Sequence, residues 1–213
     1  ITGDANVDDM PCMVCYDGDV YDGNEILICE KCNMAVHQKC YDVPIIPEGD
    51  WLCDVCSTGA DARTQICELC TFTGESYKKT DDNKWVHSLC SNWIPEIYVK
   101  PGGDGVVRPT LQGLDKKRYK LKCALCTTKG ACVQCAYGRC TVAAHPWCVY
   151  HNPQGFTKRV VKDEDGDPIW EIFCKTHQKC VSEPVKPRAK PRPAPVEPEP
   201  IEEQIIIETK ELI

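Results

Sequence analysis

The chain carries 18 cysteines and 5 histidines, and most of them recur at two short spacings. Pairs of cysteines separated by two residues stand at Cys12/Cys15, Cys29/Cys32, Cys53/Cys56, Cys67/Cys70 and Cys123/Cys126. A histidine followed by a cysteine after two residues stands at His37/Cys40, His87/Cys90 and His145/Cys148. Tetrahedral zinc takes thiolate and imidazole together, whereas a disulfide framework has no use for a histidine at a fixed spacing. The pattern predicts structural zinc in a reducing compartment, either the nucleus or the cytosol.

The ligands fall into three groups along the chain. The first group has eight ligands for two ions: Cys12, Cys15, Cys29, Cys32, His37, Cys40, Cys53 and Cys56. The second has four ligands for one ion: Cys67, Cys70, His87 and Cys90. The third again has eight: Cys123, Cys126, Cys135, Cys140, His145, Cys148, Cys174 and His177. These residues predict five zinc ions with four protein ligands each, which leaves no open position for a catalytic water.

The order of ligands in the first group argues against a RING finger. In a RING finger histidine is normally the fourth ligand, whereas His37 is the fifth here, and Trp51 stands two residues before Cys53. No nucleophile–base pair, phosphate-binding loop or open metal site stands out in the sequence. We therefore expect this segment not to be an enzyme. A RING-like ubiquitin-ligase component and a purely architectural protein-interaction module are the alternatives.

Several stretches around the ligands carry a family resemblance. They are A-V-H-Q-K-C at 35–40, P-E-G-D-W-L-C at 47–53, W-V-H-S-L-C at 85–90, W-I-P-E at 93–96 and G-A-C-V-Q-C at 130–135. With the three ligand groups, they resemble the PHD finger–zinc knuckle–extended PHD finger module. That module occurs in bromodomain-and-PHD-finger scaffold proteins, Jade proteins and some trithorax-like methyltransferases. The resemblance covers about residues 10–180.

The resemblance implies a cross-braced arrangement of ligands in both fingers. In the first finger it assigns Cys12, Cys15, His37 and Cys40 to one ion, and Cys29, Cys32, Cys53 and Cys56 to the other. In the extended finger it assigns Cys123, Cys126, His145 and Cys148 to one ion, and Cys135, Cys140, Cys174 and His177 to the other. Cys132 competes with Cys135, because Cys132 and Cys135 are also two residues apart. The four-residue gaps from Cys135 to Cys140 and His145 favour Cys135, which leaves Cys132, Cys180 and His151 without a zinc site.

We expect a small zinc-stabilised α+β fold with little regular secondary structure. The predicted units are a PHD finger at 10–58, a zinc knuckle at 65–95, an extended PHD finger at 117–180 and a disordered Pro/Glu-rich tail at 182–213. Strands are predicted at Glu25–Cys29 and Tyr119–Cys123. Prolines and glycines mark residues 91–122 as a connector made of turns, and the short connector 57–66 indicates that the first two units pack together.

Charge divides the fingers by partner. Residues 1–59 carry 12 acidic and 2 basic side chains, whereas residues 116–162 carry 10 basic side chains and no acidic one. The basic residues are Lys116, Lys117, Arg118, Lys120, Lys122, Lys129, Arg139, Lys158, Arg159 and Lys162. They predict sequence-independent contact with DNA phosphates. A histone segment is the rival ligand of this finger, and the acidic stretch Asp163–Asp167 keeps that possibility open.

For the first finger, the resemblance implies binding of the histone H3 N-terminal tail as part of a histone-modifying complex in the nucleus. A peptide strand could add to the edge of the Glu25–Cys29 strand, which includes Leu27 and Ile28. The turn Pro47-Glu48-Gly49 would offer carbonyls to the free N-terminus of the tail. The candidate partners for its basic side chains are Asp17, Asp19, Asp22, Glu25 and Glu30. Trp51 is expected beneath the site.

The methylation state of the bound lysine follows from the aromatic residues near the first finger. A trimethyl-lysine cage needs aromatic faces around the cation. Only Tyr16 and Tyr21 are candidates for such a cage. The sequence therefore predicts a preference for the unmethylated first lysine of the tail.

Overall fold

The computed structural model describes residues 10–102, 106–162 and 168–182. Its strands are β1 (Ile26–Ile28), β2 (Ala35–His37), β3 (Tyr77–Lys79), β4 (Trp85–His87), β5 (Tyr98–Pro101), β6 (Val107–Thr110), β7 (Val133–Gln134), β8 (Ala143–Ala144), β9 (Phe156–Lys162) and β10 (Pro168–Cys174). Its α-helices are α1 (Asp54–Ser57), α2 (Ser88–Trp93) and α3 (Pro146–His151). Within the described ranges, the strands pair consecutively into five antiparallel two-stranded sheets. None of these helices has the length and apolar character needed to cross a membrane.

The β1–β2 hairpin forms the centre of the first finger, and no other described residue pairs with the outer edge of β1. Leu27 is opposite Val36 in the register. Just outside β1, the Cys29 N–H donates to the Met34 carbonyl and the Glu25 carbonyl accepts from Gln38 N–H. Because hydrogen-bonded and non-hydrogen-bonded positions alternate in an antiparallel pair, Leu27 also faces β2. The backbone groups of Ile26 and Ile28 therefore point away from β2, to the outer edge.

The zinc knuckle consists of the β3–β4 hairpin followed by α2, and it packs directly on the first finger. The Tyr41 hydroxyl donates to the Tyr77 carbonyl and accepts from the Asp54 N–H. The Lys79 N–H in turn donates to the Asp54 carboxylate at 3.3 Å. Tyr41 and Tyr77 are both about 1% exposed. These contacts agree with the packing expected from the short connector.

The connector between the knuckle and the extended finger is more regular than its prolines and glycines predict. It contains the β5–β6 hairpin, with Val99 opposite Pro109. Proline has no N–H to donate to a β-ladder, so within sheets it is found on edge strands. Both strands of a two-stranded sheet are edge strands, which makes Pro109 acceptable here. The Asp81 N–H from the knuckle donates to the Pro109 carbonyl at 3.1 Å. The sequence analysis predicted the turns of this segment but not the hairpin.

The prediction of a strand at Tyr119–Cys123 was wrong, because Arg118–Lys120 forms a 3₁₀ helix. Asp115 starts this turn: its carboxylate accepts from the Lys117 N–H at 2.9 Å and its carbonyl from the Arg118 N–H at 2.8 Å. Such local hydrogen bonds compete with strand formation. Of the predicted strand, Lys122 alone pairs, in an isolated bridge to Lys129.

The extended finger contains β7–β8, α3 and the long β9–β10 hairpin, and a second 3₁₀ helix follows at Lys175–Ser182. This hairpin reaches the knuckle, where Trp170 stacks on Trp93 with ring centroids 5.0 Å apart. The buried residues of all three units form one continuous core that includes many of the cysteines. Residues 183–213 of the predicted tail and the acidic stretch Asp163–Asp167 lie outside the described residues.

Candidate metal centres and binding surfaces

The structure assembles five groups of four ligands, and within each group the ligand atoms lie within 4.8 Å of one another. Centre 1 is Cys12, Cys15, His37 and Cys40; centre 2 is Cys29, Cys32, Cys53 and Cys56; centre 3 is Cys67, Cys70, His87 and Cys90; centre 4 is Cys123, Cys126, His145 and Cys148; centre 5 is Cys135, Cys140, Cys174 and His177. Within each finger the ligand pairs alternate between the two centres. This is the cross-brace that the resemblance implies.

The spacing between ligand atoms fits zinc. A tetrahedron with zinc–sulfur bonds of about 2.3 Å places its sulfurs about 3.8 Å apart. The Cys32 and Cys53 Sγ atoms are 3.8 Å apart, and those of Cys140 and Cys174 are 3.9 Å apart. The donor set of thiolates and imidazoles is also the one that zinc prefers. The chain therefore has five structural zinc sites, as the ligand count predicts.

Four centres begin with the same tight turn. The residue after the second cysteine has a positive φ, and its N–H donates to the carbonyl of the first cysteine. These residues are Tyr16, Asn33, Thr71 and Thr127, with φ between 58° and 65°. The turn curls the backbone so that both sulfurs can face one ion. Centre 5 departs from this pattern, because four residues separate Cys135 from Cys140 and Gly138 supplies the positive φ.

A second feature is common to all five centres. The backbone N–H of the third ligand donates to the sulfur of the first ligand. The pairs are His37 to Cys12, Cys53 to Cys29, His87 to Cys67, His145 to Cys123 and Cys174 to Cys135, at 3.2–3.4 Å. A hydrogen bond to the charged form favours a thiolate over a thiol. Each centre therefore carries its own stabilisation of the thiolate that zinc binds.

The pKa of Cys29 illustrates this balance. Burial raises the pKa of the Cys29 thiol, but N–H groups of Cys53, Cys32 and Lys31 and the thiol of Cys32 outweigh burial. The resulting pKa is lowered to about 7. A thiol with this pKa loses its proton to zinc more readily at neutral pH.

The four ligand histidines turn Nδ1 towards the cysteine sulfurs. These contacts are His37 to Cys15 at 3.2 Å, His87 to Cys70 at 3.2 Å, His145 to Cys126 at 3.4 Å and His177 to Cys135 at 3.6 Å. Nδ1 is therefore the ligand atom, which leaves Nε2 protonated. The Nε2 of His37 lies 2.8 Å from the Asp19 carbonyl, a bond that orients the ring.

The imidazoles of His87 and His145 are more tightly enclosed. Their Nε2 atoms are buried and have no hydrogen-bond partner among the described residues. Gly130 packs on His145 so closely that a Cβ at this position would lie 2.8 Å from the Leu69 carbonyl and closer still to the imidazole. A side chain at position 130 would therefore push centre 4 away from the knuckle.

The structure places Cys135, and not Cys132, in a zinc centre. Cys132 is fully buried and its Sγ lies 3.9 Å from the Leu121 carbonyl. Cys132 is therefore a small buried residue, as expected, and its thiol also interacts with that of Cys123 in centre 4. Cys180 lies half-buried in the last 3₁₀ helix and is likewise outside the five groups. His151 contacts no zinc group, but it has a specific partner that the spacing could not reveal.

His151 belongs to a junction of all three units. Its Nε2 lies 2.6 Å from one carboxylate oxygen of Glu75 in the knuckle. The other oxygen accepts a hydrogen bond from the Tyr16 hydroxyl of the first finger at 2.9 Å. Tyr16 also stacks on Tyr150 of the extended finger, with centroids 3.4 Å apart. No sequence signal marks this junction, because its members are far apart along the chain and have no motif.

The predicted peptide edge keeps its exposed carboxylates. Asp17, Asp19, Asp22, Glu25 and Glu30 are all exposed. One edge residue needs correction: Leu27 is 6% exposed and its backbone faces β2, so neither part of it can meet a peptide. Ile26 takes its place beside Ile28, since both present backbone groups to the outer edge. The sequence analysis missed Ile26 because period-two pairing depends on the register of β2.

Residues 47–49 and Trp51 belong to a segment that lies next to this edge. Residues 47–49 are exposed, and Gly49 has a φ of 95°, which favours glycine. Trp51 is half-buried and packs edge-on against Tyr41, with centroids 5.6 Å apart. Its carbonyl accepts from the Glu30 N–H at 3.0 Å, which attaches this segment beside the edge of β1.

The two tyrosines considered for an aromatic cage are engaged differently. Tyr16 is committed to Glu75 and Tyr150, and burial, followed by the charge of Glu75, holds its pKa far above the usual range. Tyr21 is 51% exposed, with its hydroxyl 3.5 Å from the carboxylates of Asp17 and Asp19. One exposed ring cannot surround a trimethylammonium group.

The basic residues of the extended finger separate into exposed and internally paired sets. The exposed set is Lys116, Lys117, Lys120, Lys122, Lys129, Arg139 and Lys162. Lys158 is exposed too, but its ammonium lies over the Tyr150 ring, 4.5 Å from the centroid. The prediction that Arg118 and Arg159 bind DNA phosphates needs correction, because each is paired within the chain. Arg118 binds Glu96 at 2.7 Å, and Arg159 binds Glu171 at 2.5 Å.

Comparisons with known proteins agree with this architecture. The PHD-finger family matches residues 23–57, and the PHD-zinc-finger like domain family matches residues 65–181. A crystal structure of zebrafish PHF14-PZP superposes with a TM-score of 0.62 at 30% identity, covering 79% of this chain and 88% of that chain.

Two human proteins are similar in sequence. Bromodomain and PHD finger-containing protein 3 is 40% identical over 66% of this chain, and E3 ubiquitin-protein ligase Jade-2 is 33% identical over 90%. The chain spans only 12% and 23% of the lengths of these relatives. The predicted resemblance to bromodomain-and-PHD-finger and Jade proteins is confirmed. The chain belongs to the family of PHD-zinc-finger like domains, here preceded by a further PHD finger.

Proposed function

We propose that this chain is a nuclear chromatin reader within a histone-modifying complex. Its first finger binds the N-terminal tail of histone H3, and its extended finger binds DNA without sequence preference. The observation that carries the proposal is the unpaired outer edge of β1, where Ile26 and Ile28 present backbone groups among exposed carboxylates. An extended basic peptide gains main-chain hydrogen bonds at such an edge and charge complementarity from its surroundings.

The unmodified first lysine of the tail is the preferred ligand. The exposed carboxylates suit an ammonium group that keeps its hydrogen-bond donors, whereas trimethylation removes all of them. Tyr16 is held by the junction with Glu75, so it is not free to form a cage. The exposed carbonyls of residues 47–49 provide acceptors for the free N-terminus of the tail.

Calorimetric titration of H3 tail peptides tests the histone proposal. We expect the unmodified peptide to bind more tightly than the peptide trimethylated at its first lysine, and N-terminal acetylation to weaken binding about tenfold or more, which corresponds to about 1.4 kcal/mol. Asp22→Asn should weaken binding, whereas Asp61→Asn, an exposed carboxylate in the connector, should not. Tighter binding of the trimethylated peptide would refute the lysine preference.

A salt titration of duplex binding tests the DNA proposal. Lys122→Glu removes an exposed cation and should lower both affinity and the dependence on salt, by about one unit of slope for each lost phosphate contact. Lys39→Glu is the matched control, an exposed lysine in the acidic first finger. Binding that is absent at low salt, or unchanged at high salt, contradicts this proposal.

We also propose that this segment has no catalytic activity of its own. Each zinc centre has a full set of four ligands, so none has an open position for a reacting group. One relative carries the name of an E3 ubiquitin-protein ligase, which makes ubiquitination the activity to test. Ubiquitin chains formed with a conjugating enzyme would contradict the proposal. Failure of every histone peptide would favour an architectural module instead.

A further inference from the structure

A small polar cavity lies where the first finger, the knuckle and the β5–β6 hairpin meet. Its volume is about 40 Å³. The polar residues of its wall that matter here are Asp42, Lys78, Ser88 and Ser91. One water needs at least about 10–15 Å³ measured in this way, so the cavity has room for about three non-hydrogen atoms. A carboxylate group has that size.

Lys78 in the cavity wall is largely buried, and the only carboxylate among the described residues of the wall, that of Asp42, interacts with its charge from beyond ion-pair distance. Lys78 is only 6% exposed, and its ammonium lies 4.0 Å from the centroid of the Tyr41 ring. Among the described residues, it makes no hydrogen bond and no ion pair within 4.0 Å. Burying a charge is costly unless the charge is paired. The face of one tyrosine and the longer-range attraction of Asp42 offset this cost without giving the ammonium a hydrogen-bond acceptor among the described residues.

The neighbouring polar groups add donors to the same cavity. The Ser88 hydroxyl accepts from Ser76 Oγ at 2.7 Å, which leaves its own hydrogen free to donate. The Ser91 hydroxyl is engaged with the Ser88 carbonyl at 3.0 Å. Asp42 lines the cavity as well, but it is exposed to solvent and forms no ion pair with Lys78. An ammonium and a hydroxyl donor together make a site for a small anion.

We propose that this cavity binds the carboxylate of a glutamate or aspartate side chain on an acidic segment of a partner protein. Lys78 supplies the charge and Ser88 a hydrogen bond, while Ile97, Val99 and Pro109 contact the methylene groups of the ligand. The three-atom size suits a carboxylate better than a phosphate, which has five non-hydrogen atoms. This partner differs in charge from a histone tail, so the inference does not depend on the proposed function.

The site can be tested by NMR with the zinc-loaded protein labelled at its lysines. The probe is a capped peptide, acetyl-Gly-Glu-Gly-amide, and the matched control is acetyl-Gly-Gln-Gly-amide. We expect saturable shifts of the Lys78 Cε signal with the Glu peptide and no such shifts with the Gln peptide. Equal shifts from the Gln peptide, or none from the Glu peptide, would overturn the proposal. Equal shifts from acetate would assign the cavity to small free carboxylates and overturn the peptide assignment.

Three variants distinguish a binding site from a structural lysine. Lys78→Met removes the charge and should weaken the Glu peptide at least about tenfold, whereas Lys84→Met, in the same knuckle, should not. Asp42→Asn should strengthen binding, because it removes a like charge from the cavity wall. Unfolding would weaken peptide binding and could not strengthen it, so Asp42→Asn tests the proposal even if Lys78→Met unfolds the protein. Weaker binding by Asp42→Asn would contradict the assigned role of Lys78.

Discussion

At the scale of single residues, each zinc centre combines ligands with a backbone donor that prepares them. The third ligand of every centre donates its N–H to the sulfur of the first, which ties metal binding to the register of the surrounding backbone. Binding of structural zinc contributes about 10–16 kcal/mol for each site in zinc-finger peptides. In a chain with 3 phenylalanines and 3 methionines, metal thus replaces part of a conventional apolar core.

The choice between Cys132 and Cys135 gives a prediction at this scale. Cys135→Ala removes a ligand of centre 5, so we expect bound zinc to fall from five ions to four and the extended finger to lose stability. Cys132→Ala removes only a small buried side chain, so five ions should remain. Elemental analysis with a thiol titration after zinc loading measures both. Four ions in Cys132→Ala and five in Cys135→Ala would reverse the assignment.

At the scale of elements, side chains in one short segment have different roles according to the turn that holds them. Lys117, at the start of the 3₁₀ helix Arg118–Lys120, is exposed, whereas Arg118 is directed to Glu96, just after α2. Arg118 donates two bonds to Glu96 and a third to the Cys132 carbonyl at 2.7 Å. The same charge is therefore exposed at one position, where we propose DNA contact, and engaged in packing at the next.

Exchange of each cation for glutamine separates these roles. Arg118→Gln should destabilise the protein by roughly 1–3 kcal/mol, because Glu96 loses a charged partner in a partly buried position. It should change the salt dependence of DNA binding little. Lys117→Gln should leave the melting temperature unchanged and reduce the salt dependence. Urea unfolding and duplex titrations of both variants measure the two effects. If both variants lost stability, or both reduced the salt dependence, the two residues would not have separate roles.

At the scale of the whole molecule, the three zinc units are joined by specific contacts as well as by a shared core. Glu75 of the knuckle binds Tyr16 of the first finger and His151 of the extended finger. Tyr41 joins the first finger to Tyr77, and Trp93 stacks on Trp170. These contacts hold the acidic edge of the first finger and the basic surface of the extended finger on one body.

Neutralising Glu75 tests whether this junction contributes to stability. Glu75→Gln should cost roughly 1–3 kcal/mol, because a partly buried carboxylate with two partners is lost. Glu68→Gln is the matched control: its pair with Lys84 is more exposed, at 3.4 Å, and should be worth less than about 1 kcal/mol. Chemical unfolding with zinc present measures both. Equal effects would mean that Glu75 does not stabilise the junction.

The sequence by itself determined the metal chemistry. Most of the 20 ligands follow from spacings of a few residues, because zinc geometry restricts local turns such as that after Cys15. The division of the ligands between the two ions of each finger follows from the family resemblance. The strand around Leu27 and the small amount of regular secondary structure also follow from local sequence patterns. Cys132 and Cys135 could be separated only through the family pattern, since both have an acceptable local spacing.

Only the tertiary structure decided which groups remain available to a partner. Exposure of Ile26 rather than Leu27 depends on the register with β2, and the pairing of Arg118 with Glu96 joins residues 22 positions apart. The burial of Lys78 and the junction at Glu75 depend on how the units pack. Side-chain partners distant in sequence leave no spacing pattern, because packing energy depends on position in space and not along the chain.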